Sequence, residues 1–303
     1  MQRAQKRLEK ILSNHSSIGQ NDFKRLQVVK RIKSTKKNSY FWEVVCFFVS
    51  ATIYVLWMII STDGKNCLLE SSSSFTELFR PVESCDICQD IDEIEKIHNV
   101  SADDFEKEYV RTSKPVVVKD ATGTWKAMQV FSFEFFKDLY SSMGDDDDPT
   151  CQFFPYKTEF KSLTETLSMS PDRASMKVGE KPWYVGWSNC FKRGSDILRN
   201  FYDKPYFLSN LSESINLSWI FMGTPGKGAP LHVDNVVYPS WQAQIRGRKE
   251  WYLAPPPECV LKCKAHSVLV EPGDIIVLDT NKWYHQTTIL PGDISITIGA
   301  EFD

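Results

Sequence analysis

Histidine is scarce in this chain, with five residues in 303. A histidine-ligated centre must therefore be built from few candidates. No internal repeat is present, which excludes solenoids and propellers. The Cys85-Asp-Ile-Cys88 pair lacks a thioredoxin-like βαβ setting, and no further suitably spaced ligands complete a zinc site around it. It reads instead as a structural disulfide or as two unpaired thiols. Acidic residues are nearly missing from residues 1–40, where two stand against eleven Lys/Arg, a net +9. With −3 for the whole chain, residues 41–303 carry −12. Charge is absent altogether over the 17 residues from Val44 to Ile60.

That uncharged run, with Phe41, Trp42 and Trp57 near its ends, has close to the ~20 apolar residues that span a bilayer core. No small-x-small cleavage site follows it, which argues against a removed signal peptide. The basic flank predicts a cytoplasmic N-terminus. The expected organisation is a basic cytoplasmic tail at 1–40, a signal-anchor helix at 41–60, a stalk at 61–82 and a domain at 83–303. This predicts a single-pass type II membrane protein with its C-terminal domain lumenal (endoplasmic reticulum, Golgi or cell surface). Sequons at Asn99, Asn210 and Asn216 agree with a glycosylated lumenal domain. The basic tail beside a span sets topology and touches anionic lipid, so no nucleic-acid partner is expected. Seven cysteines beyond Cys46 is an odd number, so at least one is free or pairs between chains.

The domain opens with a short amphipathic segment at Ile91–Ile97 and a helix capped by Ser101. A strand at Pro115–Asp120 and a helix at Phe131–Tyr140 follow. The acidic run Gly144–Pro149 reads as a solvated turn. Short strand-like segments then dominate: Cys151–Tyr156, Trp183–Trp187, Ser218–Gly223, Pro230–Asp234, Ser240–Ile245, Glu250–Ala254, Val268–Val270, Asp274–Leu278, His285–Ile289 and Asp293–Ile298. Turn signals such as Pro272-Gly273 and Pro291-Gly292 separate them. This density predicts a mainly β domain with flanking helices, a sandwich or barrel.

The chemistry concentrates at His232-Val-Asp234 and at His285, 51 residues after Asp234. Two histidines and a carboxylate are the ligand set of a non-haem Fe(II) facial triad, which leaves positions for a cosubstrate and O2. Residues i and i+2 of a strand face the same way, so His232 and Asp234 are expected to converge on one metal from one strand, with His285 arriving from another. His15, His98 and His266 lack ligand spacing.

Trp219-Ile-Phe-Met-Gly-Thr-Pro-Gly-Lys-Gly-Ala-Pro-Leu-His-Val-Asp234, the run Ser240–Pro256 and Glu271–His285 together resemble the JmjC/cupin-type 2-oxoglutarate oxygenases. The likeness is to the arginine demethylase and lysyl hydroxylase branch once called phosphatidylserine receptors. It covers residues 95–303 and is strongest over 219–300. It implies a double-stranded β-helix (cupin, jelly-roll), Fe(II) held by His232, Asp234 and His285, and Lys249 paired with the distal carboxylate of 2-oxoglutarate. Residues 286–303 contain no basic residue, whereas prolyl-hydroxylase-type enzymes carry theirs after the distal histidine. Tyr184 is implied as a hydroxyl donor to the same carboxylate, with a packed core tyrosine as the alternative. Trp241, Trp251 and Trp283 match family positions and read as core and pocket wall. The implied activity is hydroxylation of a protein side chain, or demethylation where the hydroxylated carbon is an N-methyl group.

Two positions depart from the family pattern. Ala229 stands where a threonine is common, and Gly299 where an asparagine is common. Thr224 and Thr288 are the candidates for a replacement hydroxyl. The alternative function is a non-catalytic, metal-binding cupin that acts as an interaction domain.

Overall fold

The computed structural model describes Ser13, residues 44–50, Thr52, Tyr54, and residues 80–142, 152–189, 192–212 and 218–303. Residues 1–72 and 73–303 form two separate compact units. The basic tail, most of the stalk, the acidic run, Cys67, Cys151, Cys190 and Asn216 lie outside the described residues.

Among the described residues, no helix is long and apolar enough to cross a membrane. This overturns the expected signal-anchor at 41–60, the transmembrane helix in the predicted architecture, the type II topology and the membrane partner. Helix is described at residues 44–50, Thr52 and Tyr54, and the described residues do not make up the ~20-residue apolar helix that a bilayer core takes. The lumenal placement that depended on that topology falls with it, and the expected glycosylation loses its support.

Among the described residues, the second unit has eleven strands. In chain order these are β1 (Glu95–Ile97), β2 (Val116–Val118), β3 (Gln152–Phe154), β4 (Tyr184–Asn189), β5 (Ser218–Gly223), β6 (Ser240–Arg246), β7 (Lys249–Ala254), β8 (His266–Val270), β9 (Ile275–Leu278), β10 (Tyr284–Ile289) and β11 (Ser295–Glu301). Eight form one sheet in the order β1-β2-β9-β6-β11-β5-β4-β3, and three form a second, β10-β7-β8. The non-sequential strand order is that of a jelly-roll rather than of a meander. Expected and observed strands agree closely from β4 onward, with one exception, the segment Pro230–Asp234.

Sequence pattern accounts for the layering. β2 and β9, Val-Val-Val and Ile-Ile-Val-Leu, are β-branched or aliphatic runs buried on both faces. β7 alternates, with Lys249, Trp251 and Leu253 inward and Glu250 and Tyr252 outward. Gly247, at φ 65°, turns β6 into β7, and a Cβ there would lie 2.9 Å from the Ile294 carbonyl carbon.

The helices lie largely N-terminal to the barrel strands: α1 (Ala102–Phe105), α2 (Ala127–Val130), α3 (Phe133–Ser141), α4 (Leu163–Leu167), α5 (Pro171–Ala174) and α6 (Lys192–Leu198). Ser101 caps α1 as expected, and Ser132 caps α3. α3 buries Phe133, Phe136, Leu139 and Tyr140 in the larger core.

Cys85 and Cys88 do not pair with each other. Each crosses to a distant loop, forming Cys85–Cys259 and Cys88–Cys263. Arg80 ion-pairs with Glu258 beside them, so the start of the domain is pinned to the loop that follows β7.

Candidate active site

Segment 226–232 carries the first ligand candidate. It is not a regular strand, since Pro230 has no N–H to offer a ladder. It nevertheless follows β10 closely. Gly226 N–H donates to the Ile289 carbonyl at 2.9 Å, Ile289 N–H to Lys227 at 2.8 Å, and Thr287 N–H to Ala229 at 3.1 Å. Past Pro230, His232 and His285 exchange N–H···O bonds of 3.0 and 2.8 Å, forming an isolated β-bridge. Gly228 permits this approach, because a Cβ there would overlap the Thr287 carbonyl. The two imidazoles therefore face each other, with ring centroids 4.2 Å apart.

The single regular strand expected over Pro230–Asp234 is thus corrected. Asp234 is placed by the β9–β10 turn. Its N–H donates to the Thr280 carbonyl at 2.9 Å, and Val236 N–H donates to Asn281 Oδ1 at 2.8 Å. The result still brings the three side chains together: one ligand atom from each of His232, Asp234 and His285 lies within 4.8 Å of the others. Asp234 Oδ1 is 3.4 Å from His232 Nε2, and Oδ2 is 3.8 Å from His285 Nε2.

The hydrogen bonds behind the rings set their tautomers. His232 Nδ1 is 2.7 Å from the Pro230 carbonyl, and His285 Nδ1 is 3.0 Å from that of Trp283. A carbonyl only accepts, so each Nδ1 carries a proton, and in the neutral ring the lone pair lies on Nε2. Burial pulls His285 down to about 4, which holds it neutral at physiological pH. Burial also pulls His232 down, but the hydrogen bond and charge of Asp234 outweigh it and the net shift is upward. For Asp234, burial raises the pKa, and His232 and His285 more than reverse that, so the carboxyl lies below its ordinary value. Two imidazole nitrogens and one ionised carboxylate are the donor set that a divalent first-row metal such as Fe(II) takes.

A cavity of about 330 Å³ opens beside these atoms, within the range of small-molecule sites. Its aromatic walls are Phe154, Tyr156, Tyr184, Trp219, Phe221 and Trp251. Trp251 lies nearly parallel to His285, with centroids 5.9 Å apart. Trp241 and Trp283 are core residues, and Trp283 Nε1 donates to the Ser113 carbonyl at 2.9 Å.

Lys249, the first residue of β7, is 0% exposed. Its Nζ donates to Thr297 Oγ1 at 2.7 Å and to Tyr184 Oη at 3.1 Å. Lys249 thus reaches from the three-stranded sheet to β4 and β11 of the larger one. Both hydroxyl partners are neutral, and burial pushes its pKa down to about 7. Burial also raises the Tyr184 phenol, so its hydroxyl is neutral and able to donate.

The structure also answers the two departures. Thr224 turns its hydroxyl to the Trp183 backbone, and Thr288 sits on the other face of β10 from His285. Thr287 instead accepts from Ala229 N–H at 3.0 Å and lines the cavity, and Thr297 is bonded to Lys249. Opposite Gly299 in the β6–β11 register stands Gln242, which also lines the cavity. A Cβ on Gly299 would lie 2.9 Å from Gln242 Cγ, so Gln242 fills the space that a side chain at 299 would need. Strand alternation from His285 points to Thr287, two residues on. Gln242 could be found only through cross-strand register.

The cupin-like domain model matches residues 102–263. The arginine-specific demethylase JMJ20 of Arabidopsis thaliana is 26% identical over 268 residues, covering 69% of this chain and 57% of that protein. The bifunctional arginine demethylase and lysyl-hydroxylase psr-1 of Caenorhabditis elegans is 21% identical over 191 residues, covering 58% of this chain and 45% of psr-1. Among solved structures, YcfD, a ribosomal oxygenase from Escherichia coli, gives a TM-score of 0.44 at 17% identity over 67% of this chain and 51% of that one. The chain spans about half the length of each of these two curated relatives. With the family match extending over half of the sequence, and the jelly-roll strand order around it, the chain belongs to the cupin-like family of JmjC domains.

Proposed function

We propose that this protein is an Fe(II)- and 2-oxoglutarate-dependent oxygenase that hydroxylates, or by hydroxylation demethylates, a protein side chain. The observation that carries this reading is Lys249. A wholly buried lysine whose side-chain partners are two neutral hydroxyls is costly unless an anion completes it. The adjoining cavity and the three-residue ligand cluster favour a dicarboxylate as that anion. A dicarboxylate that chelates a metal through one end presents its other carboxylate to a cation and a hydroxyl donor. Together, ferrous ion and 2-oxoglutarate would supply O2-driven oxidation of an unactivated C–H bond.

The chain's own residues have separable tasks in this account. His232, Asp234 and His285 hold the metal, and the Pro230 and Trp283 carbonyls orient the two rings. Lys249 and Tyr184 hold the distal carboxylate. The aromatic walls exclude water from the reacting region. Thr287 bonds to Ala229 and Gln242 stands opposite Gly299, the two positions whose departures motivated a non-catalytic reading, so polar groups remain beside both.

A second cavity, of about 610 Å³, shares Asp234, Asn235 and Val236 with the first and is otherwise lined by residues that include Arg80, Glu83, Asp279 and Lys282. It is open and mixed in charge, which suits a peptide segment delivering one side chain toward Asp234. JMJ20 is described as an arginine-specific demethylase and psr-1 as an arginine demethylase and lysyl-hydroxylase, in keeping with a protein substrate. The test is O2-dependent conversion of 2-oxoglutarate to succinate by the Fe(II)-loaded protein, with mass spectrometry of arginine- and lysine-containing peptides. Succinate release and gain of one oxygen atom, or loss of a methyl group, support the reading. Metal uptake with neither signal would sink it.

A further inference from the structure

We propose that Glu301 is a positioning residue for the metal site, holding Asp234 within reach of the two histidines by tying down the backbone that follows it. This rests on the reading of His232, Asp234 and His285 as metal ligands and deepens it.

Residues 235–239 join Asp234 to the start of β6 at Ser240. They form no strand or helix, so their N–H groups have no ladder to join and need other acceptors. Val236 N–H donates to Asn281 Oδ1 at 2.8 Å. Val237 and Tyr238 N–H both donate to Glu301 Oε2, at 3.0 and 2.9 Å. A carboxylate oxygen can accept from both, and such charge-assisted bonds are stronger than neutral ones. Glu301 is the last residue of β11 and is 8% exposed. Its own backbone is fixed, since it pairs with Ser240 across the sheet, and Phe302 N–H donates to the Pro239 carbonyl at 3.0 Å.

The two acceptors divide the segment between them. Asn281 lies in the β9–β10 turn, which also takes Asp234 N–H at the Thr280 carbonyl, so that turn holds the near end. Glu301 holds the far end from β11, a central strand of the larger sheet. Burial does not seat that end, because Val237 and Tyr238 are 76% and 38% exposed. The side-chain oxygen therefore decides where the loop runs. Its path sets the Asp234 carboxylate, whose oxygens lie 3.4 and 3.8 Å from the histidine Nε2 atoms. Metal–ligand distances tolerate only about 0.2 Å either way, so a small shift of this loop is felt at the metal.

The test compares the full-length protein with Glu301→Ala, Glu301→Asp and Glu301→Gln, each titrated calorimetrically with Mn(II), with a thermal melt of the metal-free protein alongside. Glu301→Ala and the shorter Glu301→Asp are expected to weaken Mn(II) about tenfold, as outer partners of metal ligands do. Glu301→Gln keeps an oxygen at the same reach and should retain affinity. A second comparison uses Zn(II), which binds more tightly than Mn(II), in an Asp234→Ala background. There Glu301→Ala should cost little more, because the ligand it acts through is gone. Undiminished Mn(II) binding by Glu301→Ala would overturn the proposal. So would an equal loss of Zn(II) affinity with and without Asp234, which marks a merely structural role. Where Glu301→Ala does not fold, Glu301→Asp gives the same two comparisons. If the unaltered protein takes up no metal, the reading of the three ligands itself fails, and this inference with it.

Discussion

His232 and His285 sit directly across from each other, joined by two reciprocal backbone hydrogen bonds of 3.0 and 2.8 Å. Their imidazoles are thereby fixed by main-chain pairing, before any metal arrives. Replacing either ring with alanine should leave these bonds intact and remove one ligand. Each of His232→Ala and His285→Ala is expected to lower Mn(II) affinity by at least ~100-fold with the far-UV circular dichroism unchanged, since even outer partners of ligands are worth 10- to 100-fold. Unchanged metal affinity in both variants would remove these residues from the metal site.

The pairing depends on Gly228, where a Cβ would overlap the Thr287 carbonyl. Gly228→Ala must push segment 226–232 off β10 or strain it. The expected cost is roughly 1–3 kcal/mol of stability, the range for overpacking, together with a loss of metal affinity. Chemical denaturation and a metal titration of the same sample check both. A fully stable variant with normal metal binding would show that the segment is seated by something else.

Lys249 gives a pH signature. Burial holds its folded-state pKa near 7, below the ordinary 10.5 of an unfolded lysine. Between those values the unfolded chain binds more protons than the folded one, so ligand-free stability should rise with pH from about 7 toward 10.5. In Lys249→Met that rise should be lost. The ligand has the opposite preference, since a carboxylate favours the ammonium. Affinity for 2-oxoglutarate should therefore be greatest below about pH 7 and fall by up to ~10-fold per unit above it, as binding must take up a proton. Calorimetry in buffers of different ionisation enthalpy measures that proton directly. A flat profile across this range would mean that Lys249 is not the partner of the carboxylate.

The two disulfides close nearly the same loop, with sequence separations of 174 and 175 residues. While one remains, the other closes only a short ring of about nine residues, so removing a single bridge should cost roughly 2–3 kcal/mol in the chain-entropy model. Removing both also releases the long loop, for roughly 8 kcal/mol in all, more than the two single losses together. The variants Cys85→Ser/Cys259→Ser, Cys88→Ser/Cys263→Ser and the quadruple change should therefore be strongly non-additive in thermal melts. Additive losses from each pair would contradict this.

Legibility in the sequence followed physical locality. The strands from Tyr184 to Glu301 could be read from hydrophobic pattern and Gly/Pro punctuation, and β5 matched its expected bounds at Ser218–Gly223. Segment 230–234 could not, because Pro230 and Gly228 make it pair along β10 without regular strand geometry. The disulfide partners were also hidden, since nothing local links Cys85 to Cys259. The span expected at 41–60 followed from composition alone. Thr297 was missed because its role comes from where Lys249 and Tyr184 meet across two sheets. That meeting depends on register rather than on any motif.

The most direct test of the central claim is a titration of 2-oxoglutarate into the full-length protein with and without Mn(II), beside Lys249→Met. The account predicts saturable binding that requires the metal and is lost in the variant. Tight metal binding with no affinity for 2-oxoglutarate, or affinity that Lys249→Met leaves intact, would contradict it.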